Sequence, residues 1–212
     1  MSNTVSRRPY APRMPAEQRR EQILDAALAL ICSGGIEAVT VDAVAKSIGV
    51  TRPVVYSQFT DSNNILRESL KREGNLAIAQ LAAIVPKNLN DAEPTTVLTD
   101  MTRSFLETVL SSPNRWRSIL LPAYGGSPPA WQKFKKRAEA TAFEVLTGFL
   151  KTLAGARQKD MDLELAAHAL LRAWEEAGRL VLADPEVYTV ERLTTFYSAL
   201  FSSLVTTPKH KP

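Results

Sequence analysis

TVDAVAKSIGVTRPVVYSQF, residues 40–59, is the stretch on which the reading of the whole chain turns. Thr40 is a good helix N-cap, because its hydroxyl can accept from a backbone N–H two or three residues on. Val41, Val44, Ala45 and Ile48 then recur on one face of a short helix. Gly49 ends that helix in a turn conformation that other residues resist, and Val50 packs into the turn. Thr51 caps a second helix, Arg52 to about Phe59, whose first turn tolerates Pro53. Ala45 is small where the two helices cross, and Ile48, Val50, Val55 and Phe59 fill the wedge between the second helix and its neighbours. Arg52, Pro53, Val54, Ser57 and Gln58 are left on the outer surface. Two short helices joined in this way form a helix-turn-helix, whose second helix is shaped to enter a major groove.

Helical periodicity continues on both sides. Ile23, Ala27, Leu30 and Ile31 make one stripe of a helix that starts at Pro15-Ala16-Glu17, runs to about Ser33 and is stopped by Gly34-Gly35. Asp61 or Ser62 caps a fourth helix lined by Ile65, Leu66, Leu70 and Leu76, which Pro86 and a polar stretch to Pro94 bring to an end. Further helices are expected at about 95–110, 115–121, 130–153, 162–183 and 190–205, divided by proline, glycine and polar breaks. No internal repeat of constant period is present.

The composition, 45% hydrophobic and 23% charged with 9 glycines, is that of an ordinary globular chain, and its 212 residues can bury a sizeable core. No apolar run is long enough to span a membrane, and the first residues hold no apolar signal core, so a cytoplasmic protein without a membrane partner is expected. The single cysteine, Cys32, cannot form an internal disulfide and reads as a small side chain packed in a helix. The net charge of +4 is concentrated at one end. Residues 1–20 hold Arg7, Arg8, Arg13, Arg19 and Arg20 against Glu17 alone, and the rest of the chain is balanced. A basic arm beside a helix-turn-helix can follow phosphates or enter a minor groove; the same composition also suits a merely solvated tail.

From Ile23 to Leu66 the pattern resembles the N-terminal domain of tetracycline-repressor-like (TetR-family) regulators, most tightly over Thr40 to Phe59. The carrying features are Ala45, the Gly49-Val50-Thr51 turn, and Tyr56 followed by a polar pair and Phe59. The segment Pro113 to Pro122 also resembles a junction between the fifth and sixth helices in some members. The resemblance implies that Thr40 and Thr51 anchor phosphates and that Arg52, Pro53 and Val54 face base edges. Arg52 would bond guanine, while Pro53 and Val54 would touch thymine methyls. It further implies that Tyr56 gives its hydroxyl to a phosphate, with Ser57 and Gln58 near backbone or bases and Lys46 on a further phosphate. Two departures remove positive charge from this face. Asp61-Ser62-Asn63-Asn64 stands where members commonly begin the fourth helix with a lysine, and Asp42 stands where they often carry a basic residue. The arm with Arg7, Arg8 and Arg13 is then a candidate for compensation.

The architecture implied is all-α: a three-helix N-terminal helix-turn-helix domain joined by a long fourth helix to a larger helical domain that binds a ligand and dimerises. The boundaries are a basic flexible arm at 1–15, the DNA-binding domain at 16–62, the ligand-binding and dimerisation domain at 63–207, and a tail at 208–212. Candidate pocket residues are Met101, Phe105, Trp116, Leu120, Tyr124, Trp131, Phe134, Phe143 and Trp174, since an apolar, aromatic-lined cavity suits a small, largely apolar effector. Any one of these aromatics, taken singly, is more often plain core. A wide apolar face on the last two helices offers Leu163, Leu170, Ala177, Val181, Leu193, Phe196, Tyr197, Leu200 and Leu204 to a homodimer seam, as a palindromic operator requires two symmetric readers. Burial within one subunit is the competing account. Glu164, His168 and Arg172 share a helix face and read as solvated ion pairs, and His210 lies in the tail, so no metal is expected. Neither a nucleophile elbow nor a phosphate loop, Cys/His cluster or paired carboxylates occur, so no enzyme and no cofactor are expected. The expected function is a transcriptional repressor released from its operator when effector bound behind the fourth helix alters the spacing of the recognition helices. Asp42 and Asn63 keep a rival open: a helical module that senses or sequesters an apolar molecule, with DNA contact weak or lost.

Overall fold

The computed structural model describes residues 14–86, 93–120, 129–154 and 162–205, and every regular element among them is helical. In chain order these are α1 (Ala16–Gly34), a 3-10 turn (Ile36–Ala38), α2 (Val41–Ser47), α3 (Arg52–Tyr56), α4 (Ser62–Ile84), α5 (Pro94–Ser111), α6 (Pro113–Leu120), α7 (Pro129–Ala154), α8 (Leu163–Ala183) and α9 (Val190–Val205). The sequence periodicity places nearly all of them within two residues at either end. The 3-10 turn is the addition. No helix among the described residues is long and apolar enough to cross a membrane.

Local chemistry explains the helix ends. Thr40 Oγ1 accepts from the Ala43 N–H at 3.0 Å and starts α2, and Asp61 Oδ1 accepts from the Asn64 N–H at 2.7 Å and starts α4. Glu93, with Pro94 in the first turn behind it, caps α5 by accepting from the Thr96 N–H at 2.7 Å. The contact holds the Glu93 carboxyl below its ordinary range, first through that backbone N–H. Thr51 occupies the N-cap position of α3 with an extended backbone, but its hydroxyl makes no capping bond. α3 ends at Tyr56, short of Phe59, because a tighter bond from the Gln58 N–H to the Val55 carbonyl at 2.9 Å turns Phe59 inward.

The helices enclose two apolar cores. The first gathers Ile23, Ala27 and Ile31 of α1, Val44 and Ala45 of α2, Val55 of α3, Phe59, and Ile65, Leu66 and Leu70 of α4. It therefore extends beyond residue 62 into the long helix. It also takes in Trp131 of α7, completely buried. The second joins α5, α6, α8 and α9 with the later part of α7, around Phe105, Leu106, Val109, Trp116, Ala177 and Val181. Helix α4 serves both: its first half packs on the first core, and Ala77 on the second. At Gly74 α7 crosses α4 closely, since a Cβ there would stand 2.8 Å from Phe134 Cε2. The polar stretch at 87–92 and residues 121–128, including the expected break around Tyr124, lie outside the described residues.

An ion network ties the long helix to its neighbours. Glu73 of α4, almost wholly buried, accepts from Arg72 Nε at 2.9 Å and from Arg115 Nε of α6 at 3.0 Å. Arg72 also reaches α1, donating to Glu21 and Asp25, each at 2.7 Å.

Gly49, between α2 and α3, has φ +66, and a Cβ placed on it would meet nothing within 4 Å, so only backbone strain opposes a side chain there. Gly49→Ala is expected to cost about 1 kcal/mol, the left-handed penalty for an L-residue. Urea unfolding of the two proteins measures it.

Candidate nucleic-acid interface

The helix-turn-helix is held from inside. Val55 is fully buried and Phe59 nearly so, which fixes the rotation of α3 about its own axis. The Val50 N–H closes the α2–α3 turn on the Ala45 carbonyl at 2.9 Å. At the far end Arg20 of α1 lies over the Phe59 ring, 4.4 Å from its centroid, and donates to the Gln58 carbonyl at 3.3 Å and to Glu68 at 3.4 Å. Arg20, one of the basic residues near the N-terminus, is thus spent on positioning α3. Arg7, Arg8 and Arg13 lie outside the described residues.

This anchoring leaves Thr51, Arg52, Pro53, Tyr56 and Ser57 exposed on one side, with Tyr56 retaining 54% of its surface. Val54 and Gln58 are half-buried at the edge of the same face. Ser57 Oγ donates back to the Val54 carbonyl at 2.7 Å, and Gln58 Nε2 donates to Ser57 Oγ at 3.3 Å. The Thr40 hydroxyl accepts the capping bond from the Ala43 N–H and keeps its own proton to donate. Lys46 is exposed on α2 and pairs with no carboxylate among the described residues. Asp42, in the first turn of α2, grips the Arg52 guanidinium at two points: Nε donates to Oδ1 and Nη2 to Oδ2. That contact pushes the Arg52 pKa further up, by the hydrogen bond first and the carboxylate's charge second. Sequence reading singled out both residues and missed their pairing, which crosses a turn and follows no helical spacing.

Residues 23–68, which carry this face and its apolar anchors Val55 and Phe59, match the family model for bacterial regulatory proteins, tetR family. The chain is similar to the tetR family over this N-terminal segment. Its fold is that of tetR-family transcriptional regulators over nearly the whole length. A TetR-like transcriptional regulator from Rhodococcus sp. RHA1 superposes with a TM-score of 0.72 at 22% identity, covering 92% of this chain and 100% of that one. A transcriptional regulator from Rhodococcus sp. Rha1 gives 0.70 at 17% identity, covering 91% and 99%. The fatty acid degradation regulator FadR from Bacillus halodurans gives 0.65 at 16% identity, covering 95% and 100%. No curated protein matches.

The residues expected around an effector fall into two places in this fold. Met101, Phe105, Trp116, Leu120 and Trp174 come together in the second core. Phe105 meets Trp116 edge-on at 5.3 Å and stacks on Trp174 at 6.0 Å, and Trp174 Nε1 donates to Thr102 Oγ1 at 2.9 Å. Gly178 admits this cluster, because a Cβ there would stand 2.7 Å from Leu120 Cδ1. Phe143, at the rim, stacks on the exposed His168 at 4.1 Å. Trp131 and Phe134 belong elsewhere: 5.6 Å apart, they pack on the first core, since the start of α7 lies against α4. Tyr124 lies outside the described residues. An open groove of about 410 Å³ does occur between α5 and α9, but it is lined by Thr99, Arg103, Thr194 and Ser198 and by none of these aromatics.

The expected dimer seam is also redistributed. Leu170, Ala177, Val181, Leu193 and Tyr197 are buried within one chain, and Leu163 is partly buried against the same core. Phe196 (61%) and Leu200 (37%) are the exposed members. A stripe wide enough to read as an interface spans two faces of the helix, and the fold uses one of them for its own core. The side chain of Leu204 lies outside the described residues. The basic run of α7 is likewise divided: Lys133, Lys136 and Arg137 are exposed, while Lys135 is buried between Glu139 at 3.7 Å and Glu175 at 3.8 Å.

Cys32 faces α6, where its thiol donates to the Asn114 carbonyl at 3.2 Å and burial pushes its pKa up. With the Glu73 network it makes α6 a shared neighbour of α1 and α4. Glu73→Ala removes the carboxylate shared by two guanidinium groups that are each 20% exposed. It is expected to destabilise the protein by about 2–3 kcal/mol, the lower end for a broken buried pair because the arginines keep some water. Chemical denaturation monitored by tryptophan fluorescence tests this.

Proposed function

We propose that the protein is a ligand-responsive, DNA-binding transcriptional regulator, acting as a repressor on a palindromic operator in the cytoplasm. The observation that carries this reading is the outer face of α3, where Arg52, Pro53 and Tyr56 stand exposed while Val55 and Phe59 lock the helix in place. A short helix anchored along one side and polar along the other is what major-groove entry requires. In this reading Arg52 reads a guanine, and Pro53 and the exposed edge of Val54 meet thymine methyls. Tyr56, Thr51, Ser57, Gln58, Thr40 and Lys46 contact backbone or flanking groups, and Arg7, Arg8 and Arg13 add phosphate contacts.

Two protomers are required to read a palindrome, and the exposed Phe196 and Leu200 on α9 offer apolar surface for their pairing. The effector is a small, largely apolar molecule that enters among Phe105, Trp116, Phe143 and Trp174. It acts by preferring a protomer arrangement in which the recognition helices no longer match grooves about 34–36 Å apart. The route is α6, which contacts both α1 and α4 through Arg115, Glu73 and Cys32. The division into an arm at 1–15, a DNA-binding domain at 16–62, an effector and dimer domain at 63–207 and a tail at 208–212 belongs to the same reading.

Electrophoretic shifts with duplex DNA flanking its own gene test it. A sequence-specific complex that weakens steeply with salt is expected. Tyr56→Phe is expected to weaken binding by about 1 kcal/mol, roughly fivefold, equally on all sequences, as for a lost phosphate contact. Absence of any specific complex at moderate salt would overturn the reading in favour of a sensing or sequestering module.

A further inference from the structure

The two-point grip of Asp42 on Arg52 has a geometric consequence. It occupies the side edge of the guanidinium, formed by Nε and Nη2, and so fixes the plane of the group. The terminal edge, formed by Nη1 and the second N–H of Nη2, is left as a pair of parallel donors. A guanine presents two acceptors in the major groove, O6 and N7, at the spacing such an edge can bond.

The fold has little use for the pair. The two side chains are 63% and 61% exposed, and an ion pair in that setting adds little to stability. The Asp42 carboxylate also works against binding of phosphates on the face that carries Lys46, Thr51 and Tyr56. Lys46, one turn along the same helix, is not the partner of Asp42; Arg52, across the turn, is. A carboxylate that lowers general attraction and contributes little to folding is explained by its effect on Arg52.

We propose, resting on the DNA-binding reading above, that Asp42 is a positioning residue for sequence specificity. It holds Arg52 with its terminal edge outward, so that Arg52 reads a guanine in the major groove instead of swinging to the phosphate backbone. Asp42 makes no contact with DNA itself in this arrangement. It trades general affinity for discrimination at one base pair of each half-site.

The test uses the full chain. Duplexes selected by the wild-type protein from a random DNA library provide the probe, and each G·C pair of the selected site is changed in turn to A·T. Wild type, Asp42→Ala, Asp42→Asn and Arg52→Ala are titrated against the set at several salt concentrations. Arg52→Ala is expected to lose about ten- to hundredfold discrimination at one G·C pair per half-site. Asp42→Ala is expected to lose most of the discrimination at that same pair while binding the changed duplex as tightly as wild type or more tightly. Its salt dependence should be equal or steeper, and its melting temperature unchanged. Asp42→Asn, which keeps one acceptor, falls between and serves if Asp42→Ala folds poorly. Full discrimination by both Asp42 variants at the Arg52-dependent pair overturns the inference and leaves DNA reading intact. So does an Arg52→Ala protein that still prefers every G·C pair as wild type does. A wild-type protein that selects no sequence overturns the DNA-binding reading itself, and the inference with it.

Discussion

The structure depends on a double obligation of α4. Its first half must bury Ile65, Leu66 and Leu70 against α1 and the helix-turn-helix, while further along Ala77 must meet the core of the larger body. Between them sits Glu73, a carboxylate that neither core could hold alone. Burying one charge is costly, and two guanidinium groups offset it from opposite sides, one on α4 itself and one on α6. Because Arg72 then reaches on to Glu21 and Asp25, the position of α4 relative to α1 and α6 is set by directional contacts as well as by apolar packing. Apolar contact alone tolerates sliding; directional ion pairs do not.

The electrostatics of the outer face of α2 and α3 follow a different rule. Here the charges are exposed and screened, so their value lies in direction more than in stability. Arg20 is drawn back to hold Phe59, and Arg52 is held by Asp42. That leaves Lys46 as the unpaired cation on these two helices among the described residues. A face so sparing in free positive charge is suited to selective contact more than to general attraction. Arg7, Arg8 and Arg13 carry the general attraction in the proposed reading.

Much of this was legible in the sequence because it is periodic. Helix positions follow from apolar spacing and from caps such as Thr40 and Asp61, both of which are local signals. The exposed side of α3 was legible for the same reason: once Val55 and Phe59 face inward, the intervening side chains have only one place to go. The 3-10 turn at Ile36–Ala38 was not, since three residues make no period. Nor was the split of the α8 and α9 stripes between a chain's own core and its outer surface, because hydrophobicity records burial without saying by what. The Asp42–Arg52 pair and the Glu73 cluster escaped for a third reason. Each joins residues whose separation in sequence is set by turns and helix crossings, and no residue type announces such a meeting.

Trp131 carries a consequence for how the molecule comes into being. It is fully buried in the core of the helix-turn-helix end, yet it arrives on α7, well after that end has been spelled out. During synthesis the first four helices therefore leave the ribosome with an unfilled place in their apolar centre, and contacts of high sequence separation form late. The helix-turn-helix end reaches its final packing only when the start of the larger body has been made and has docked against it. The two ends of the molecule are in this sense not two modules joined by a helix, because the second half of the chain completes the core of the first.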